Sequence, residues 1–172
     1  MDESVLVARF SYECIVYLTF HPCSCGDATV PYVRISERLG RNVAIYEHVC
    51  ECCGKTRRVE FVLGDDDEAP STLVDAGQWL IAAEQMARQV PGDLRTLTVE
   101  ERSAAVRDLQ QAVVALEEAL KFVESDTCVV APNALFSHAG RALHSGEPGR
   151  FRRTRIEAVL ATYREALRSV GK

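Results

Sequence analysis

The chain has 172 residues, 47% hydrophobic and 26% charged, with a net charge of −5, the composition of an ordinary soluble protein of one or two small units. The negative balance weighs against broad, sequence-independent nucleic-acid binding, which needs a positive field to release counterions. Met1-Asp2-Glu3-Ser4 lacks the positive n-region of a secretory signal, and no run reaches the roughly eighteen apolar residues of a membrane helix, so the expected location is the cytoplasm.

In chain order, the first third is β-type. Cys14-Ile-Val-Tyr-Leu-Thr-Phe20 reads as a strand. Tyr32–Ile35 and Val43–Tyr46 read as a hairpin around a turn at Leu39–Asn42, and Arg57–Leu63 as a last strand. Gly64-Asp-Asp-Asp-Glu-Ala-Pro70 breaks the alternation and reads as a solvated acidic linker. Beyond it the period becomes helical. Asp75 is placed to cap a helix carrying Trp79, Leu80, Ala83 and Met86 and ending before Pro91. Thr98-Val-Glu-Glu101 is a capping-box pattern. The helix behind it carries an apolar seam of Val106, Leu109, Val113, Leu116, Leu120 and Val123. Asn133–Leu143 is a shorter helical candidate, and a last helix from about Gly149 carries Ile156, Leu160, Tyr163, Leu167 and Val170. Trp79, Leu109, Leu116, Leu120, Leu160 and Tyr163 are expected inside. The fold class expected is α+β, with a zinc-ribbon-like antiparallel β-module over residues 1–63, an acidic linker over 64–74, and a helical domain of three or four helices over 75–172.

Seven cysteines need a reason in a cytoplasmic protein, where disulfides are disfavoured, and an odd count fits a disulfide framework poorly. Five of them fall in two clusters, Cys23-Ser-Cys25-Gly26 and Cys50-Glu-Cys-Cys53-Gly54. Zinc takes four tetrahedral ligands, and two short cysteine pairs on separate turns supply them without a large core. The glycine after each pair allows a tight turn whose backbone amides can point at sulfur. The metal ligands expected are Cys23, Cys25, Cys50 and Cys53, around one structural Zn2+. Cys52 could replace Cys53, and His21 could replace a sulfur of the first pair. Cys14, on an apolar stretch, and Cys128, beside Val129-Val130, read instead as packing cysteines.

The order of strand, Cys-Cys-Gly turn, hairpin, Cys-Cys-Gly turn and strand between Cys14 and Leu63 resembles bacterial zinc-ribbon proteins, among them the CpXC proteins, although Cys23-Ser-Cys25 is not their C-P-x-C. The resemblance implies zinc binding and a ribbon fold and no defined activity. The layout of a ribbon followed by helices is also similar to small proteins encoded beside secreted bacterial toxins, some of them immunity proteins.

Four cysteine ligands would close a zinc site to substrate, and no H-x-E, H-E-x-x-H, P-loop or G-x-S-x-G accompanies them. His48, His138 and His144 are scattered, and Glu117 and Glu118 read as solvent-facing. No enzyme is expected. Lys55, Arg57 and Arg58 after the second knuckle could contact nucleic acid, as could Arg150, Arg152, Arg153 and Arg155 at the start of the last helix. That second cluster is a candidate anion or partner contact; its plainer reading is a solvated face paired with Glu147 and Glu157. The function expected is a non-catalytic, zinc-containing module that binds another protein, of the immunity or antitoxin type directed at a toxin. The alternative is a nucleic-acid-associated regulator.

Overall fold

The computed structural model describes residues 5–30, 32–64, 68–93 and 97–170, and the chain divides into two units, residues 1–74 and 75–172. The expected acidic linker ends inside the first unit. Its residues 65–67 lie outside the described residues, and its end is not a solvated tether, because Ser71 and Val74 are buried.

The first unit contains β1 (Leu6–Ala8), α1 (Ser11–Phe20), β2 (Tyr32–Arg38), β3 (Arg41–Val49) and β4 (Thr56–Leu63). The strands form one sheet in the order β1-β4-β3-β2. The β2–β3 and β3–β4 pairs are antiparallel, and β1 lies parallel to β4, so the module is not wholly antiparallel as expected. The β2–β3 turn is tighter than the sequence suggested: Leu39 and Gly40 alone make it, both at positive φ (52° and 73°), the backbone of a two-residue turn matched to strand twist. One face of the sheet presents Ala8, Ala44, Tyr46 and Phe61 to Cys14 and Leu18 of α1, and Tyr46 meets Phe61 edge-on at 5.7 Å.

The expected strand over Cys14–Phe20 is the helix α1. The run is almost wholly β-branched, aromatic or otherwise apolar, the composition of a strand, yet it lies in a helix that buries Glu13, Cys14, Val16 and Leu18. Tertiary contacts override that local preference. At its start the buried Glu13 carboxylate accepts the Arg9 backbone N–H at 2.6 Å and pairs with the Arg9 guanidinium. At its end the Arg57 guanidinium donates to the carbonyls of Leu18 (3.2 Å) and His21, satisfying acceptors that a helix terminus leaves open and placing positive charge where the dipole favours it.

The second unit contains α2 (Ala76–Gln89), α3 (Val99–Leu120), α4 (His138–Gly146) and α5 (Arg153–Val170), with short 3-10 turns at Pro132–Ala134 and Pro148–Phe151. The expected Asp75 cap and the expected Thr98–Glu101 capping box are both present, and Gln78 completes a second box with Asp75 at α2. α3 packs against α2 and α5, and α4 against α2. The buried side of α3 is Ala105, Leu109, Ala112, Ala115, Leu116 and Ala119, so alanines supply most of the seam that the larger residues suggested. Trp79, Leu109, Leu116 and Leu160 are buried as expected, whereas Leu120 and Tyr163 are half-buried. Glu118, expected in solvent, is buried and bonds Lys121 at 2.8 Å. Cys128, expected in the interior, is exposed at φ +55°. None of the described helices is long and apolar enough to cross a membrane.

The Asp75 carboxylate also joins two helices of this unit. One oxygen accepts the Gln78 N–H at 2.9 Å, and the other accepts the Ser137 N–H at 2.6 Å, the residue that caps α4. Gly140 stands against this carboxylate, where a Cβ would sit 2.6 Å from Oδ2 and closer still to Oδ1.

Candidate metal centre

Two turns of the first unit bring four cysteines together. In the first, Cys23 N–H donates to the Asp27 carbonyl (2.8 Å) and Gly26 N–H returns to the Cys23 carbonyl (2.8 Å). In the second, Cys50 N–H donates to the Lys55 carbonyl (2.9 Å) and Gly54 N–H returns to the Cys50 carbonyl (2.8 Å). The loops are alike except that the first is one residue shorter, which is how C-x-C does the work of C-x-x-C. Gly26 and Gly54 sit at φ +92° and +72°, a conformation that only glycine adopts without strain.

The Sγ atoms of Cys23, Cys25, Cys50 and Cys53 all lie within 4.8 Å of one another and could hold a metal ion. The shortest approaches cross between the turns, Cys23 to Cys53 at 3.5 Å and Cys25 to Cys50 at 3.6 Å. A tetrahedron with metal–sulfur bonds of about 2.3 Å has sulfurs about 3.8 Å apart, so the four fit one ion. Cys52 is exposed and outside the group, and His21 is exposed, stacked on Tyr17 at 3.9 Å with Nδ1 2.8 Å from the Tyr17 carbonyl oxygen.

Backbone amides face the sulfurs: that of Cys25 towards Cys23, Asp27 towards Cys25, Cys53 and Cys52 towards Cys50, and Lys55 towards Cys53. Such donors stabilise thiolates. The Cys25 amide, followed by the Cys53 thiol, brings Cys23 down to about 6. The other three sit above the ordinary thiol range: the amides pull each down, but burial and neighbouring acceptors outweigh them. A divalent ion bound among the four sulfurs would displace the protons that the thiols carry.

Sequence reasoning missed Asp27. Its carboxylate accepts from Thr29 Oγ1 (2.7 Å), Thr29 N–H (3.0 Å) and the Cys50 thiol (3.2 Å), and the Thr29 contacts, then Cys50, hold it at about 2. The signal was present as Asp27-Ala-Thr29 directly after Cys25-Gly26, an Asx-turn pattern.

The basic residues of both expected clusters are largely engaged. Lys55 Nζ donates to Ser24 Oγ at 2.9 Å, tying one knuckle to the other, and Arg57 caps α1. Arg58 pairs with Glu47 (3.4 Å) and Glu60. In the second unit Arg150 pairs with Glu84 (2.9 Å) and Glu147 (3.6 Å), and Arg153 with Glu157 (3.7 Å). The side chains of Arg152 and Arg155 have no ion-pair partner among the described residues. Comparison with protein-family models, with curated proteins and with solved structures finds no match to this chain.

Proposed function

We propose that this protein is a non-catalytic, protein-binding module whose first unit is held by one structural zinc ion on Cys23, Cys25, Cys50 and Cys53. The observation that carries the reading is the closed tetrad: four sulfurs within 4.8 Å, approached by backbone amides. A sulfur-only tetrahedral set selects zinc or iron over harder cations, and zinc with four protein ligands keeps no position open for substrate or water. Bound there, the ion would join the segments before β2 and after β3, supplying fold energy in place of core volume.

Binding to a protein rather than to nucleic acid is supported by the fate of the basic residues. Lys55, Arg57, Arg58, Arg150 and Arg153 are tied to partners within the chain, so phosphate contacts would first have to break these bonds. Inhibition of a toxin is one such binding role and rests on the sequence layout alone. The test is affinity purification of the tagged chain with and without nuclease treatment. A protein partner at constant stoichiometry that survives nuclease and 0.5 M salt agrees with the reading. Recovery that depends on nucleic acid, with affinity falling steeply in salt, contradicts it.

A further inference from the structure

Large apolar side chains are exposed unevenly. Of nine such residues among those described, seven belong to the first unit: Val5, Val7, Tyr32, Val33, Ile35, Leu39 and Val49. Four of the seven lie on β2 and its turn. β2 is an edge strand of seven residues, exposed at every position but Ser36, and it contributes nothing to the core cluster that α1 makes with the other three strands. Half of its backbone N–H and C=O groups face away from β3, as on any edge strand, and such a row is a template for another strand.

We infer that β2 pairs with β2 of a second copy of this chain, antiparallel about a twofold axis at Ile35, to give one continuous eight-stranded sheet. The inference goes beyond the proposed function and does not depend on the metal's identity. The strand's own charges admit a second copy as occupant and select the register. A twofold axis normal to the sheet keeps like faces together, so Ile35 meets Ile35 of the second copy, Arg34 meets Ser36, Val33 meets Glu37 and Tyr32 meets Arg38. No like charges are directly opposed, and Arg38, paired with Glu60 of its own chain at 2.6 Å, faces the exposed Tyr32 ring of the second copy. Moving the axis to Arg34 sets Arg34 against Arg34, and moving it the other way, to Ser36, sets Arg34 against Arg38. An in-register parallel pair opposes Arg34, Glu37 and Arg38 each to its own copy. Like charges directly opposite disfavour those arrangements, leaving one register of useful length. On the α1 side of the sheet, the exposed Ile35 of each copy then covers the other.

An edge of this length makes a small interface, so the dimer should form in the micromolar range. Sedimentation velocity of the full-length, reduced protein from about 1 to 200 µM tests it. The wild type should pass from monomer to dimer across that range. Ile35→Lys, a change at a solvent-exposed position that sets two positive charges face to face on the axis, should weaken dimerisation at least ten-fold with unchanged circular dichroism. Val99→Lys, at an exposed apolar residue of the second unit, should leave it unchanged. A photoreactive benzoylphenylalanine at position 35 should cross-link to residues 33–37 of the second copy. A monomer throughout the range, a dimer insensitive to Ile35→Lys or abolished by Val99→Lys, or cross-links mapping elsewhere would each overturn the inference.

Discussion

Asp75→Ala removes the carboxylate that caps α2 and holds Ser137 at the start of α4. Losing an N-cap acceptor costs about 1 kcal/mol. The Ser137 N–H, bonded at 2.6 Å, is left without its acceptor, which costs a further 1–3 kcal/mol, about 2 at the centre of that range. The expected loss is therefore about 3 kcal/mol, a fall in Tm of about 6–12 °C for a chain of this size. Urea unfolding followed by the fluorescence of Trp79, the single tryptophan and a buried residue of α2, measures it directly. Asp75→Asn keeps one acceptor but turns an NH2 group towards one of the two donating amides, so it should cost nearly as much. Gly140→Ala, whose methyl would overlap the same carboxylate, should also be destabilising. A loss below about 1 kcal/mol for Asp75→Ala would show that these two hydrogen bonds do not join α2 to α4 as the geometry requires.

Acid should act through Glu84. Its hydrogen bond from Arg150, outweighing burial, holds its carboxyl below the ordinary range. A folded-state value below the unfolded one contributes stability above the unfolded value of about 4.3, and that contribution disappears as pH falls through the folded one. Wild type should therefore exceed Glu84→Gln in stability at pH 6 and lose that advantage below about pH 4, as denaturant midpoints across pH would report. Asp27→Asn should hold zinc at least as tightly as wild type in competition with a chelator, because it removes an anion beside a sulfur that zinc binding leaves negative; release of zinc would instead make the carboxylate a ligand. Alkylation of the folded, zinc-loaded protein should modify the exposed Cys128 and spare Cys14, which burial raises to about 12; rapid modification of Cys14 would contradict the packing around it.

What the sequence made legible was local. The Asp75 cap and the Thr98–Glu101 capping box each lie within four residues of chain, and the cysteine pairs with their glycines announce the knuckles by spacing alone. The hairpin β2–β3 followed from alternation. The misread segments depend on distant partners. α1 is closed at its end by Arg57, 39 residues from Leu18, and no local pattern carries that bond. β1 is three residues long, too short to show a period, so the parallel pairing with β4 was invisible. In α3 the larger apolar residues drew the seam, yet alanines lie at the contact because close helix approach needs small side chains. Asp27 shows the limit at the site: spacing found the sulfurs but not the carboxylate hydrogen-bonded to one of them.

Native mass spectrometry, with elemental analysis, of reduced protein purified without added metal tests the zinc tetrad itself. One zinc ion per chain is expected, lost in Cys23→Ser, Cys25→Ser, Cys50→Ser and Cys53→Ser and retained in Cys14→Ala, Cys52→Ser and Cys128→Ala. A metal-free wild type, iron in place of zinc, or zinc lost with Cys52→Ser but kept with Cys53→Ser would contradict that expectation.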